Sequence, residues 1–384
     1  MAQITARECV ILTDDHLPHI GGSRIYCHRI ASLLPGRLAV ATRRRRGARE
    51  FDAGAPYPVT RAALRGGMLP GPDFIGEAVD AAALARAAGR VPGAKAYIAG
   101  EITPSAFAAA ALSRQRGAAY GVIVHDEPFS GAGPVESAAR RAVLAGAKAL
   151  IAASGFPARR LRETLGETAP LFYVPPGVDT DVFRPAAPGA ETALPFGLKP
   201  GRYVLSVGRL VAYKNFEAVL RAAASVDDHL RAAIVGEGPD RARLRALQRD
   251  LGLEGRVVFA GRVARRDLVS LYRGALAYVF PSRRAAGRQH EGIGMAALEA
   301  AACGCPVAAS VHTSATDFVE DGVTGLLFDP EKPGRLEEVF RCLVQSPRRR
   351  AALAAAGMER VRSRYTWRAA ADAFAEAVDH LVGD

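Results

Sequence analysis

The chain has 384 residues, is 49% hydrophobic and carries a formal net charge of +12 with a pI of about 9.9. That length supports two domains with full cores. No apolar run reaches the length of a membrane span, and MAQITARECVILTDD lacks a charged-then-apolar leader, so the reading is a cytosolic protein. The excess of cations is spread along the chain, aromatics are only 7%, and no nucleic-acid-binding module is present, which disfavours a nucleic-acid partner. The clusters at Arg43 to Arg46 and Arg348 to Arg350 read first as solvated faces, with peripheral contact to an anionic membrane as the minority reading.

In chain order, ECVILT (8–13) is a short apolar run ending in a polar loop, as a buried parallel strand would be. Gly21 and Gly22 open SRIYCHRIASLL (23–34), which has helical spacing, and LAVAT (38–42) is the next strand. KAYIAG (95–100), helical PSAFAAAALSRQ (104–115), AYGVIVHD (119–126) and KALIAAS (148–154) continue a βαβ rhythm. A stretch rich in Pro, Gly and Ala at 185–201 interrupts it. The rhythm restarts with strands RYVLSVG (202–208), AAIVGEG (232–238), RVVFAG (256–261), LAYVFPS (276–282) and CPVAAS (305–310). The tail from Thr366 is one amphipathic helix. These features predict an α/β protein of two doubly wound, Rossmann-like domains facing each other across a cleft. The domains are expected at 1–185 and 186–365. Helix 366–384 is expected to pack back on the first domain.

Five scattered cysteines, two of them in C-x-C (Cys303, Cys305) with no His pair nearby, read as reduced core thiols rather than a zinc site. Ligands of such folds sit at the carboxyl ends of the strands, and polar and glycine residues cluster there. Gly22 follows the first strand, His125 ends the GVIV strand, Arg209 and Lys214 follow VLSV, and Gly236 and Gly238 follow AAIV. There is no G-x-G-x-x-G, so the dinucleotide fingerprint fails. A forked guanidinium and an ammonium together suit a diphosphate.

EGIGMAALEA (291–300) is the most informative segment. Seven residues separate Glu291 from Glu299, a little over two turns at about 3.6 residues per turn, so a helix could present both carboxylates to one side. Gly292 and Gly294 lie where that helix would start, and its free N–H groups suit a phosphate. Asp126 and Glu127 do not form a defined acid–base pair with any second carboxylate.

Taken together, PHIGGSRIYCHRIASLL, VPPGVDTDVFRP, VGRLVAYKNFEAV, IVGEGPDRARL, VVFAGRV, YVFPS, EGIGMAALEAAACGCPVAAS and EDGVTGLLFDP resemble the retaining glycosyltransferases of family 4, which have the GT-B fold. The resemblance runs over nearly the whole chain and is strongest from Val204 to Phe328. It implies transfer of a hexosyl unit from a GDP- or UDP-linked sugar to an acceptor glycan, lipid or small molecule, with retained configuration and no metal or other cofactor. It implies that Gly22, Arg209 and Lys214 contact the donor diphosphate and that His125 lies near the reacting centre. Glu291 would hold sugar hydroxyls, with Gly292, Ile293, Gly294 and Met295 beside it. Glu299 would take the ribose, and Gly236, Gly238, Arg262 and Val263 would line the donor pocket. PPGVDTDVFRP, MLPGP and the loop before Glu291 are most similar to the phosphatidylinositol mannosyltransferase group. RIYCHRI, with its polar and aromatic residues, is expected on the acceptor side. Two other readings stand beside this one: a nucleotide-sugar epimerase or sugar phosphorylase on the same fold, and a non-catalytic polyanion- or membrane-binding protein.

Overall fold

The structure, a computed structural model, describes residues 7–18, 21–64, 74–129, 132–187, 194–284, 291 and 294–383. The chain divides into two compact units, one of residues 1–176 with 367–384 and one of residues 177–366.

The first unit is a seven-stranded parallel sheet. Its strands are β1 (Cys9–Leu12), β2 (Leu38–Arg43), β3 (Val59–Ala62), β4 (Ala96–Ala99), β5 (Ala119–Val124), β6 (Ala149–Ala152) and β7 (Leu171–Tyr173), in the spatial order β3-β2-β1-β4-β5-β6-β7. The helices between them are α1 (Gly22–Leu33), α2 (Ala48–Gly54), α3 (Phe74–Ala88), α4 (Ser105–Arg116), α5 (Pro134–Ala145) and α6 (Gly155–Leu165). Helices cover both faces, so every residue of β1, β4 and β6 is buried. This is why those strands read as unbroken apolar runs rather than alternating ones.

The second unit has six parallel strands, β8 (Tyr203–Val207), β9 (Arg231–Val235), β10 (Val257–Gly261), β11 (Ala277–Phe280), β12 (Val307–Ser310) and β13 (Leu326–Phe328), ordered β10-β9-β8-β11-β12-β13. Its helices are α7 (Phe216–Val226), α8 (Arg241–Asp250), α9 (Arg265–Gly274), α10 (Met295–Ala302), α11 (Arg335–Gln345) and α12 (Pro347–Arg364). Tyr203 and Leu205 pack into the core on one face of β8, and Val204 into the core on the other. Both sheets therefore reverse winding direction once, between β1 and β4 and between β8 and β11. In such sheets the crevice outside the carboxyl ends at the reversal is where ligands bind.

The fold class expected from the sequence, two Rossmann-like parallel-sheet units, is the one observed. The division of the chain differs from 185/186. It falls between Pro176 and Gly177, because Val178 and Phe183 are already buried in the core of the second unit. Val178 also bridges to Thr366, whose neighbour Tyr365 accepts the Val178 N–H at 2.8 Å. The last helix, α13 (Trp367–Val382), belongs to the first unit. It buries Phe374, Ala377, Val378 and Leu381, lies against β5, β6, β7 and α1, and is tied by Asp379 to Arg37 at 2.5 Å.

Within RIYCHRI, the aromatic residue does not face outward as expected. Tyr26 and Cys27 are fully buried in the first unit. The Tyr26 hydroxyl donates to the Val174 carbonyl at 2.9 Å, and its ring meets His125 and Trp367 edge-on. Helical periodicity turns those two inward, while His28 reaches the Tyr57 hydroxyl at 2.6 Å. Among the described residues no helix is long and apolar enough to cross a membrane.

Candidate functional site

In the second unit the residues following β8 and β11 meet at the sheet's reversal. After β8 the chain passes Gly208 and Arg209 and makes a short 3-10 turn at Ala212–Lys214. Asn215 then takes a left-handed conformation (φ 55), which asparagine tolerates better than most residues, and caps α7. Its side-chain amide donates to the Pro281 carbonyl at 3.2 Å, tying the β8 loop to the end of β11. Lys214 is thereby brought against Glu291: its Nζ pairs with Oε1, while the Ser282 hydroxyl donates to Oε2. Lys214 Nζ also stands 5.4 Å from the Phe280 ring centroid. Glu291 is 7% exposed. Its backbone bridges Thr313, with its N–H donating to the His312 carbonyl at 2.9 Å and its carbonyl accepting from Ser314 N–H at 3.0 Å.

The helical account of the Glu291–Glu299 spacing therefore fails. Glu291 forms an isolated parallel bridge with Thr313, and α10 starts only at Met295, with Gly294 as its N-cap. The two carboxylates still serve one region. The buried Tyr278 hydroxyl, pushed up first by burial, is raised further by the charges of both Glu291 and Glu299. Gly294 is required by space, since a Cβ there would stand 2.7 Å from Ser314 Oγ and 3.0 Å from the Phe280 ring. Gly292 and Ile293 lie outside the described residues. Met295 is the first residue of α10, at an end where helix N–H groups lack intrahelical acceptors. Glu299 accepts a 3.0 Å hydrogen bond from Tyr272 on α9. Burial pushes its carboxyl up to about 7, with the Tyr272 hydrogen bond and the charge of Arg265 opposing.

Gly236 and Gly238 hold the β9–α8 turn against the β8 loop. A Cβ on Gly236 (φ 137) would fall 1.9 Å from the Gly208 carbonyl oxygen, and one on Gly238 would fall 2.2 Å from that of Leu210. Only glycine permits this approach. The contact is sealed by Gly208 N–H to the Val235 carbonyl and Leu210 N–H to the Glu237 carbonyl, each 2.9 Å. Arg209 and Arg262 are exposed, with no ion pair to another described residue, and Val263 is half-buried beside Arg262.

Gly22 and His125 lie in the first unit. Gly22 is the first residue of α1. His125 follows β5, and neither ring nitrogen makes a hydrogen bond among the described residues. Burial lowers its pKa to about 4, against the opposing influence of Asp126 and the Gly100 backbone, so the imidazole is neutral near pH 7. At this unit's own reversal point, the half-buried Glu101 after β4 accepts from the Thr13 hydroxyl at 2.8 Å and from Asp14 N–H at 3.3 Å. Burial first, then the Asp14 charge, pushes Glu101 up to about 8. Glu101, Ser282 and Tyr272 carry no local sequence signal. Ser282 stood within the singled-out LAYVFPS strand, but its role depends on a partner nine residues away.

A family profile described as glycosyl transferases group 1 matches residues 196–360. The chain carries a group 1 glycosyl transferase domain. That domain contains Arg209, Lys214, Glu291 and Glu299. GDP-mannose-dependent alpha-(1-6)-phosphatidylinositol monomannoside mannosyltransferase of Mycobacterium tuberculosis (strain ATCC 25618 / H37Rv) is 34% identical over 256 residues, 65% of this chain and 66% of that protein. D-inositol 3-phosphate glycosyltransferase of Acidothermus cellulolyticus is 38% identical over 208 residues, 50% of this chain and 45% of that protein. The chain thus spans just under two thirds, or less, of the curated relatives it matches. Among solved structures, sucrose-phosphate synthase from Thermosynechococcus elongatus superposes with a TM-score of 0.80 at 21% identity, over 98% of this chain and 100% of that one. Anabaena HepE in complex with UDP gives 0.79 at 19% identity, over 97% of this chain and 100% of that one. The fold around the group 1 domain is GT-B.

Proposed function

We propose that the protein is a retaining hexosyltransferase that moves a sugar from a nucleoside diphosphate to an acceptor hydroxyl, with no metal in the transfer step. The observation that carries this reading is the Lys214–Glu291–Ser282 cluster at the reversal between β8 and β11, inside a group 1 glycosyl transferase domain. Arg209 and Lys214 neutralise the diphosphate, which is the leaving group. Positive charge fixed where negative charge develops lowers the barrier directly. Glu291, held on both sides of its backbone and by Ser282, accepts from hydroxyls of the transferring sugar. Glu299 accepts from the ribose diol, and the N-terminus of α10 offers N–H groups to phosphate. Neutral His125 serves as a hydrogen-bonding group toward the sugar rather than as a proton donor. Gly236, Gly238, Arg262 and Val263 border the nucleotide.

The names of the mannosyltransferase relatives support GDP-mannose as the donor and a phosphatidylinositol-type glycolipid as the acceptor. UDP-sugars are the second candidate donors. A lipid acceptor would put the protein at the inner membrane surface, with the exposed Arg44 and Arg46 as cationic contacts, since Arg43 turns in to the Asp14 carbonyl and Arg45 forks onto Asp15. The test is a transfer assay with GDP-mannose and vesicles containing phosphatidylinositol or its mannosides, beside a thermal-shift panel of GDP, UDP and ADP sugars. Lys214→Ala should lower kcat by about 100- to 1,000-fold, the typical loss on removing one transition-state charge contact. Full transfer by both Lys214→Ala and Glu291→Ala would sink the site assignment. Epimer formation from donor alone, with no acceptor present, would favour an epimerase.

A further inference from the structure

The second unit gathers another set of chemical groups at the carboxyl ends of β12 and β13. These strands pair in parallel with Ser310 opposite Phe328, and Val311 N–H extends the ladder to the Phe328 carbonyl at 3.0 Å. The pairing carries His312 and Asp329 off the sheet side by side. Glu331 N–H then donates to Asp329 Oδ1 at 3.0 Å, which turns the chain so that Glu331 joins them. His312 Nε2 ends 3.9 Å from Asp329 Oδ1 and 3.7 Å from Glu331 Oε1. One ligand atom from each of the three lies within 4.8 Å of the others.

His312 supplies the observation that a cluster of carboxylates alone would lack. It is 8% exposed, and its Nε2 is buried with no hydrogen-bond partner among the described residues. At 3.7 and 3.9 Å neither carboxylate is within hydrogen-bond range of it. Lys332 does not fill the gap, because its Nζ approaches the other Asp329 oxygen, Oδ2, at 3.9 Å. A buried imidazole nitrogen placed beside two carboxylate oxygens, with no hydrogen bond closing the gap, brings three ligand atoms together at one point.

We propose that His312, Asp329 and Glu331 bind a divalent transition-metal ion of the zinc type. One imidazole and two carboxylates form a borderline donor set, which suits zinc and its neighbours better than magnesium, whose preference is for oxygen alone. At metal–ligand distances of about 2.0–2.2 Å, tetrahedral ligand atoms stand roughly 3.4 Å apart. The two separations from His312 Nε2, 3.9 and 3.7 Å, are already close to that. Three protein ligands leave a position for water. The ion takes no part in transfer. It fixes the segment that holds Glu291, because the His312 carbonyl accepts Glu291 N–H at 2.9 Å and Thr313 is its bridge partner. No local spacing announces the cluster: His312 and Asp329 are seventeen residues apart and meet only through strand pairing.

The test is equilibrium dialysis of the EDTA-treated full chain against zinc and, separately, magnesium, with the retained metal measured. One zinc per chain is expected, with magnesium retained at least ten-fold more weakly. His312→Gln and the double variant Asp329→Asn/Glu331→Gln should each weaken zinc binding at least ten-fold, with circular dichroism confirming that they fold. Zinc should also slow hydrogen exchange across residues 310–316 in the unaltered chain but not in the variants. No zinc retained, or zinc retained equally by both folded variants, overturns the assignment, the latter result pointing to the cysteines.

Discussion

Glu291 is held by an opposite charge, a hydroxyl and two backbone hydrogen bonds, so each substitution there separates one contribution from another. On the proposed function, a diphosphate on Lys214 and sugar hydroxyls on Glu291 would both compete with the contact between these two side chains. Glu291→Gln keeps the shape and removes the charge. It should therefore tighten nucleoside diphosphate binding several-fold while lowering kcat by about ten-fold or more. Calorimetric titration of GDP and UDP beside a transfer assay checks the split, and a variant that loses both together would show a merely structural role. Glu299 makes a pH-dependent prediction. Its folded pKa is raised to about 7 from 4.5, so its contribution to stability is full below the unfolded value and is lost as pH rises through 7. Glu299→Gln removes that loss and keeps an acceptor for Tyr272. Its melting temperature relative to the unaltered chain should rise between about pH 5 and pH 8, measured by thermal shift. A difference that stays constant with pH would remove Glu299 as the titrating group. Lys214, Glu291 and Glu299 were legible as candidates because charged residues next to apolar strands are conspicuous. Ser282, Tyr272 and Glu101 were not, because a hydroxyl or a carboxyl acquires its role only from what packs against it.

Among the elements, the strands were the most legible, since burial on both faces leaves an unbroken apolar run. β3 and β7 escaped because they are short and only partly buried, and β13 because it is just three residues long. The helical reading of Glu291 failed for a definite reason. A spacing of eight fits two helical turns, but it is equally met by a bridge residue placed before a glycine-started helix, and the pairing of Glu291 with Thr313 selects the latter. The β9–α8 turn shows an element acting through its backbone. Gly236→Ala would drive a methyl into the Gly208 carbonyl and displace the loop bearing Arg209 and Lys214. Overpacking of this kind costs about 1–3 kcal/mol. A melting temperature lower by several degrees, with nucleotide affinity reduced in step, is the expected result. A variant with unchanged melting and unchanged affinity would mean that the turn relaxes freely.

On the scale of the whole molecule, α13 is the last element of the chain yet completes the first unit, burying Trp367 and Phe374 there. Ending the chain at Thr366 should therefore destabilise the first unit and spare the second. Calorimetry should show one transition shifted down by many degrees and one nearly unmoved, with nucleoside diphosphate binding retained. A fall of both transitions together would show that the two units unfold as one.

The sequence by itself determined the alternating α/β architecture, the glycines of the tight turns and the charged residues available for a diphosphate, because periodicity, backbone freedom and charge are local properties. Only the tertiary structure decided that Glu291 is a bridged, backbone-clamped residue facing Lys214, that the chain divides at Pro176, and that His312 meets Asp329 and Glu331. Each of these depends on which strands lie side by side, and parallel pairing joins residues that no local spacing relates.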